Sequence, residues 1–89
     1  MQAVISVTGK DGVGIVADVS QICKEFNVNI SDVSQTIMQD YFVMIMLVDL
    51  GSMELSFAAF ADAMKAMGES RGLVIHVMHE DIFNVMHEI

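Results

Sequence analysis

Positive charge is scarce in this chain. Lys10, Lys24, Lys65 and Arg71 stand against 12 acidic residues, a formal net charge of −8. So few cations cannot neutralise a run of phosphates, which argues against nucleic acid as a direct partner. Cysteine is nearly missing too. The lone Cys23 excludes an internal disulfide and supplies no metal-ligand spacing, as suits a reducing cytoplasm. No apolar run reaches the roughly 18 residues needed to span a bilayer, and the strand-like start lacks a basic region and a small-residue cleavage site. The expectation is a soluble, unexported, cytoplasmic protein with no membrane partner. Proline is absent, whereas 54% of the 89 residues are hydrophobic and nine are methionine. That length predicts a single domain over 1–89, and the apolar surplus points to self-association. The methionines read as soft core packing.

Along the chain, Gln2 to Thr8 alternates Ala3, Ile5 and Val7 with Val4, Ser6 and Thr8, which predicts a first strand. The stretch Thr8-Gly9-Lys10-Asp11-Gly12-Val13-Gly14-Ile15 then turns strand into helix. Ile15, Val16, Val19, Ile22, Cys23 and Phe26 form a helical stripe, and Asp11 is the natural N-cap. Val28 to Met38 reads as an edge strand whose change of parity between Ile30 and Val33 requires a bulge. Gln39-Asp40 closes a hairpin into Tyr41–Asp49, apolar on both parities and so expected to be covered by helices on one face and by a partner, such as a second subunit, on the other. Ser52 is expected to cap a second helix with Phe57, Phe60, Ala61, Met64 and Met67 on its buried stripe, and Gly68 or Gly72 ends it. Leu73 to Met78 gives a fourth strand, and Glu80 to Ile89 a short C-terminal helix. The repeated β-α-β order predicts an α+β fold, one antiparallel sheet with two helices on a single face.

The glycine loop carries the clearest chemistry. A helix N-terminus presents unpaired amides and partial positive charge, and glycine lets a ligand approach the backbone, so an anion or carboxylate could bind there. The same glycines could equally serve only the tight turn. The order Gly9-x-x-Gly12-x-Gly14 reverses a dinucleotide fingerprint, and the Gly-Lys-Ser/Thr ending of a P-loop is missing, which disfavours nucleotides. His76 and His79 have opposite parity on one strand. With His87 they form a weak metal candidate, and solvated or packing histidines are favoured. Cys23 sits on the apolar stripe as a buried thiol, and no spacing suggests a catalytic triad. Neither an enzyme nor a cofactor is expected.

Thr8 to Val19, with a helix entered through Asp-x-x-Gly-Ile, and Phe26-Asn27-Val28-Asn29-Ile30 resemble the ACT domain, a ligand-sensing module of amino-acid metabolism. The ending from His79 to His87 is similar to the stand-alone, uncharacterised ACT-domain proteins of bacteria, and more distantly the chain resembles the ACT modules of glycine-cleavage regulators. The resemblance implies a ferredoxin-like βαββαβ sandwich of sheet order 4-1-3-2 and a homodimer paired side by side or face to face. It also implies a regulatory role, with an amino acid bound where the first loop meets a strand-two residue of a neighbouring subunit. Carried over, the ligand-binding residues are Asp11, Gly12, Val13, Gly14, Asn29 and Ile30. Loop amides would serve the carboxylate, and Asp11 or the Asn29 side-chain oxygen the ammonium. Asp11 stands where some amino-acid-binding relatives carry asparagine, and Val13 where many carry proline. A module without ligand that binds a partner protein or only associates is the alternative implied by the same family.

Overall fold

Ala3, Ile5 and Val7 alternate with Val4, Ser6 and Thr8, and a period of two sends the first set to one face of a sheet. The computed structural model describes residues 1–10, 12–53 and 56–81. In it these three side chains are fully buried. The elements run β1 (Gln2–Gly9), α1 (Ile15–Glu25), β2 (Asn29–Met38), β3 (Tyr41–Asp49), α2 (Phe57–Arg71) and β4 (Val74–His79). All three strand pairings are antiparallel. Their order, β2-β3-β1-β4, is the expected 4-1-3-2 sheet read from its other edge.

The register places Ala3, Ile5 and Val7 beside Val48, Met46 and Met44 on β3. Ile15, Val19 and Cys23 from α1 and Phe60 and Met64 from α2 join them in one core. Both helices therefore cover the same sheet face, and the rings of Phe26 and Phe60 meet edge-on at 5.4 Å between them. The expected bulge lies between Ile30 and Asp32. It restores parity, so that Ile30, Val33 and Ile37 all lie on the helix side, opposite Val48, Met46 and Phe42. The hairpin at Gln39-Asp40 also forms, with Gln39 at a φ of 58°.

Several expectations are corrected. The residue at the cap of α1 is Gly14, with no side-chain cap bond, because the chain enters the helix through a left-handed turn (φ 75°) and not through an aspartate. Asp11 itself lies outside the described residues. The α2 cap is Ser56 and not Ser52, since the Ser56 Oγ accepts from the Ala59 amide at 3.1 Å. Gly72, at φ 70°, ends that helix. Gly68 is an interior residue instead: a Cβ there would lie 2.9 Å from Ile75 Cγ1, so its bare backbone lets α2 settle onto β4. Val16 falls off the buried stripe and is exposed. Within one protomer the second face of β3 is half-covered, with Val43 and Leu47 half-buried and Ile45 42% exposed, and this is the face for which the sequence calls for a partner. Strand β4 runs one residue later than expected, and the C-terminal helix beyond Asp81 lies outside the described residues.

Candidate functional site

Strand β1 ends at Gly9 and α1 begins at Ile15, so the glycine loop does join strand to helix. The Ile15 amide donates to the Gly12 carbonyl at 3.3 Å and the Asp18 amide to the Gly14 carbonyl at 3.0 Å. The first-turn amides of a helix are the donors that an anion at this start would use. Two glycines have structural reasons of their own. Gly14 holds the left-handed φ that L-residues rarely adopt, and a Cβ on Gly12 would meet the Phe42 ring at 2.6 Å. Val13 is exposed at the tip.

A residue that the sequence reading passed over secures this loop. Arg71, in the last turn of α2, pairs through Nη1 with the Asp18 carboxylate and donates through Nη2 to the Val13 carbonyl. The guanidinium fork thus ties the end of α2 to both the loop and the first turn of α1. One signal was present, since Arg71 is the sole arginine in a chain with four cations. Nothing in spacing links it to a position 53 residues earlier.

Beside the loop, the end of the β2–β3 hairpin leaves a depression of about 330 Å³. Gly12 and Val13 form its loop side, Ile37 and Phe42 its apolar strand side, and Lys10, Gln39, Asp40 and Tyr41 complete it. Lys10 Nζ stands 5.9 Å from the centre of the Tyr41 ring.

Asn29 and Ile30 do not share this place. Gly9 pairs with Phe42, whereas Asn29 pairs with Asp49, at the opposite end of β3. Seven strand steps of roughly 3.3 Å put them about 23 Å away. Within one protomer the expected site residues therefore fall into two groups, Gly12, Val13 and Gly14 at one end and Asn29 and Ile30 at the other. Asn29 is exposed and Ile30 half-buried.

The histidines separate as well. His76 pairs with Ser6 and lies on the helix-free face, while His79 pairs with Ala3 on the helix side, where its Nδ1 lies 3.6 Å from the Asp81 carboxylate. Among the described residues no three His, Cys, Asp or Glu side chains form a metal-binding group, and His87 lies outside them. Cys23 is buried, and burial pushes its thiol up to about 11, which keeps it protonated and unreactive. Among the described residues no helix is long and apolar enough to cross a membrane.

Sheet order, helix placement and the glycine turn together define a small α+β module of the ferredoxin-like kind. The sequence model of the ACT domain matches residues 1–78. The chain belongs to the ACT domain family. It is 47% identical over 88 residues to a UPF0237 protein of Methanocaldococcus jannaschii, covering 99% of this chain and 98% of that one. A solved ACT domain protein from Streptococcus pneumoniae is 36% identical and superposes with a TM-score of 0.81 over 93% of both chains. A putative glycine cleavage system transcriptional repressor shares the fold at a TM-score of 0.69, with 20% identity over 89% of this chain and 47% of that chain.

Proposed function

We propose that this chain is a small regulatory module that binds an amino acid at a homodimer interface, and that its ligand state is read by a partner. One observation carries the reading. The loop and Asn29 lie at opposite ends of the sheet, and between them runs β2, an edge strand of ten residues that pairs with β3 on one side, has no strand partner among the described residues on the other, and carries nine exposed residues. Antiparallel pairing of two β2 edges about a two-fold axis near Val33 and Ser34 brings Asn29 of one subunit opposite Met38 of its partner. Met38 adjoins the hairpin beside the loop. The loop amides of one subunit and the start of its partner's β2 at Asn29 and Ile30 then lie along one boundary, where a zwitterion can be shared. Ligand contacts made across that boundary favour one association geometry, which is the coupling a sensor needs.

Light scattering after size exclusion tests the association. The mass should be twice the 9.8 kDa of the chain. Ser34→Glu, which sets like charges near the axis, should reduce it to one chain and remove any thermal shift given by amino acids. A Ser34→Glu variant that stays dimeric removes β2 as the interface.

A second reading has its own support. Because Gly12 packs on Phe42 and Gly14 supplies a left-handed turn, the loop is explained without a ligand. The helix-free face also exposes Ile45 and Val74. A ligand-free association module would show a dimer with no melting shift for any amino acid at millimolar concentration.

A further inference from the structure

The sheet has a second edge, β4, which pairs with β1 and has no other strand partner among the described residues. Its sequence, Val74-Ile75-His76-Val77-Met78-His79, holds no lysine, acid or proline, and its register with β1 runs without a bulge. The devices that blunt a strand edge are missing from it. Between β4 and α2 lies a space of about 320 Å³. Val74 and His76 line it from one face of the sheet and Ile75 from the other, so it opens along the free side of the strand. Lys65 and Glu69 of α2 complete it with Leu73. These two charges stand four residues apart on the helix, yet neither forms an ion pair among the described residues.

Height along the edge decides what fits there. A Cβ on Gly68 would touch Ile75, so α2 passes β4 with Met67 and Gly68 level with His76 and Ile75. A two-fold axis through His76, normal to the sheet, therefore runs midway between Lys65 and Glu69. We infer that β4 pairs antiparallel with β4 of a second copy about this axis, a further interface distinct from the one through β2. The pairing sets Val74, 55% exposed in one chain, against Met78 of the second copy on the helix-free face, and Ile75 against its Val77 under the helices. Lys65 of each copy then faces Glu69 of the other, twice by symmetry. A Lys–Glu pair on one helix is self-complementary when the axis falls between its members, and the strand pairing puts the axis there. Any other extended chain would have to bring both opposite charges itself. Two strands at about 4.8 Å span the width of one helix, about 10 Å, so the two α2 helices fit side by side. With six residues against the ten of β2, this is the weaker contact, and it joins dimers already made through β2.

Sedimentation velocity from micromolar to millimolar protein tests it. The wild type should pass from two chains to a larger assembly as concentration rises, and added salt should oppose that step. Glu69→Lys and Lys65→Glu, both at exposed positions, should each weaken the second association at least about tenfold while two chains remain together. An equimolar mixture of these two variants should regain it, because each supplies the charges that the other lacks. Ser34→Glu should be a single chain at micromolar concentration and pair at millimolar concentration, and adding Glu69→Lys should abolish that pairing. A mass fixed at two chains up to millimolar protein, and lost only in Ser34→Glu, overturns the β4 interface and keeps the β2 one. Assembly lowered by Glu69→Lys and untouched by Ser34→Glu keeps β4 and removes β2. A mixture no larger than its separate components removes the contact between Lys65 and Glu69, and with it the assignment of this edge to a second copy.

Discussion

Ile5 on β1 and Ile37 on β2 are the same residue, on the same sheet face, in strands one apart, yet the first is fully buried and the second 75% exposed. The difference lies in what stands above them. Both helices lean on the central strands, whereas Ile37 stands at the hairpin end of β2, where Gly12 and Val13 of the glycine loop line the same depression. Residue type and parity choose the face, and helix cover chooses the burial. Apolar side chains left uncovered on a sheet edge are a liability that a folded chain resolves by covering them, with a ligand or with a second copy.

The strongest way to sharpen this contrast is to remove the buried member. Ile5→Ala leaves a cavity between β1 and the helices and should cost about 2–5 kcal/mol, read as a lower urea midpoint with unchanged slope. A loss below about 1 kcal/mol would mean that the central core is not the closed layer described here.

Next in size is a pH effect from the same layer. The Cys23 thiol is raised from 9.0 to about 11 by burial, so above pH 9 the unfolded chain ionises it while the folded chain does not. The unfolded state then binds fewer protons, and stability falls as pH rises from 9 to 11, by about 2–3 kcal/mol. Cys23→Ala should flatten that part of the curve. Alkylation of the native protein at pH 8 should be slow and become fast in urea. Equal rates in both would place the thiol outside the core.

Much of the core could be read from the chain because its signals are local. Alternation in Ala3-Val4-Ile5-Ser6-Val7, the helical spacing from Ile15 to Cys23 and the parity break after Ile30 each depend on neighbours a few positions apart. Helix ends were less legible: Ser52 and Ser56 are both good caps, and only packing of Phe60 and Met64 on the sheet selects the second. Gly68 and Gly72 are indistinguishable by type, although one is a contact surface and the other a left-handed stop. At the site, the loop announced itself through its glycines. Arg71, Phe42 and Asp40 did not, because they reach it from 27 to 58 residues away in sequence, a separation that leaves no local pattern.

Those tertiary contacts give the middle-sized effects. Gly12→Ala places a Cβ against the Phe42 ring at 2.6 Å and should cost about 1–3 kcal/mol. If the clash is the cause, Phe42→Leu in the same chain should cost less than the two changes added separately. Strict additivity would remove the contact from the account. Arg71→Met has a smaller expected effect, under about 1 kcal/mol, because the Arg71 and Asp18 side chains are partly solvated. Its signature is local: faster hydrogen exchange at the Ile15 and Asp18 amides, which close the first turn onto Gly12 and Gly14, with the core amides unchanged. Unchanged exchange there would mean that the loop holds its shape without the guanidinium.

The smallest stability effect belongs to the exposed member of the pair. Ile37→Ser removes a side chain that solvent already reaches, so unfolding in urea should move by no more than about 0.5 kcal/mol. Its consequence should appear elsewhere. Because Ile37 lines the depression beside Phe42 and stands on the β2 edge, the same change should loosen the proposed dimer, measured by light scattering. The two isoleucines would then divide cleanly, Ile5 sustaining the fold and Ile37 what the fold meets. A Ile37→Ser protein that is destabilised like Ile5→Ala would show instead that the hairpin end is already covered in the free chain, and the contrast between the two strands would disappear.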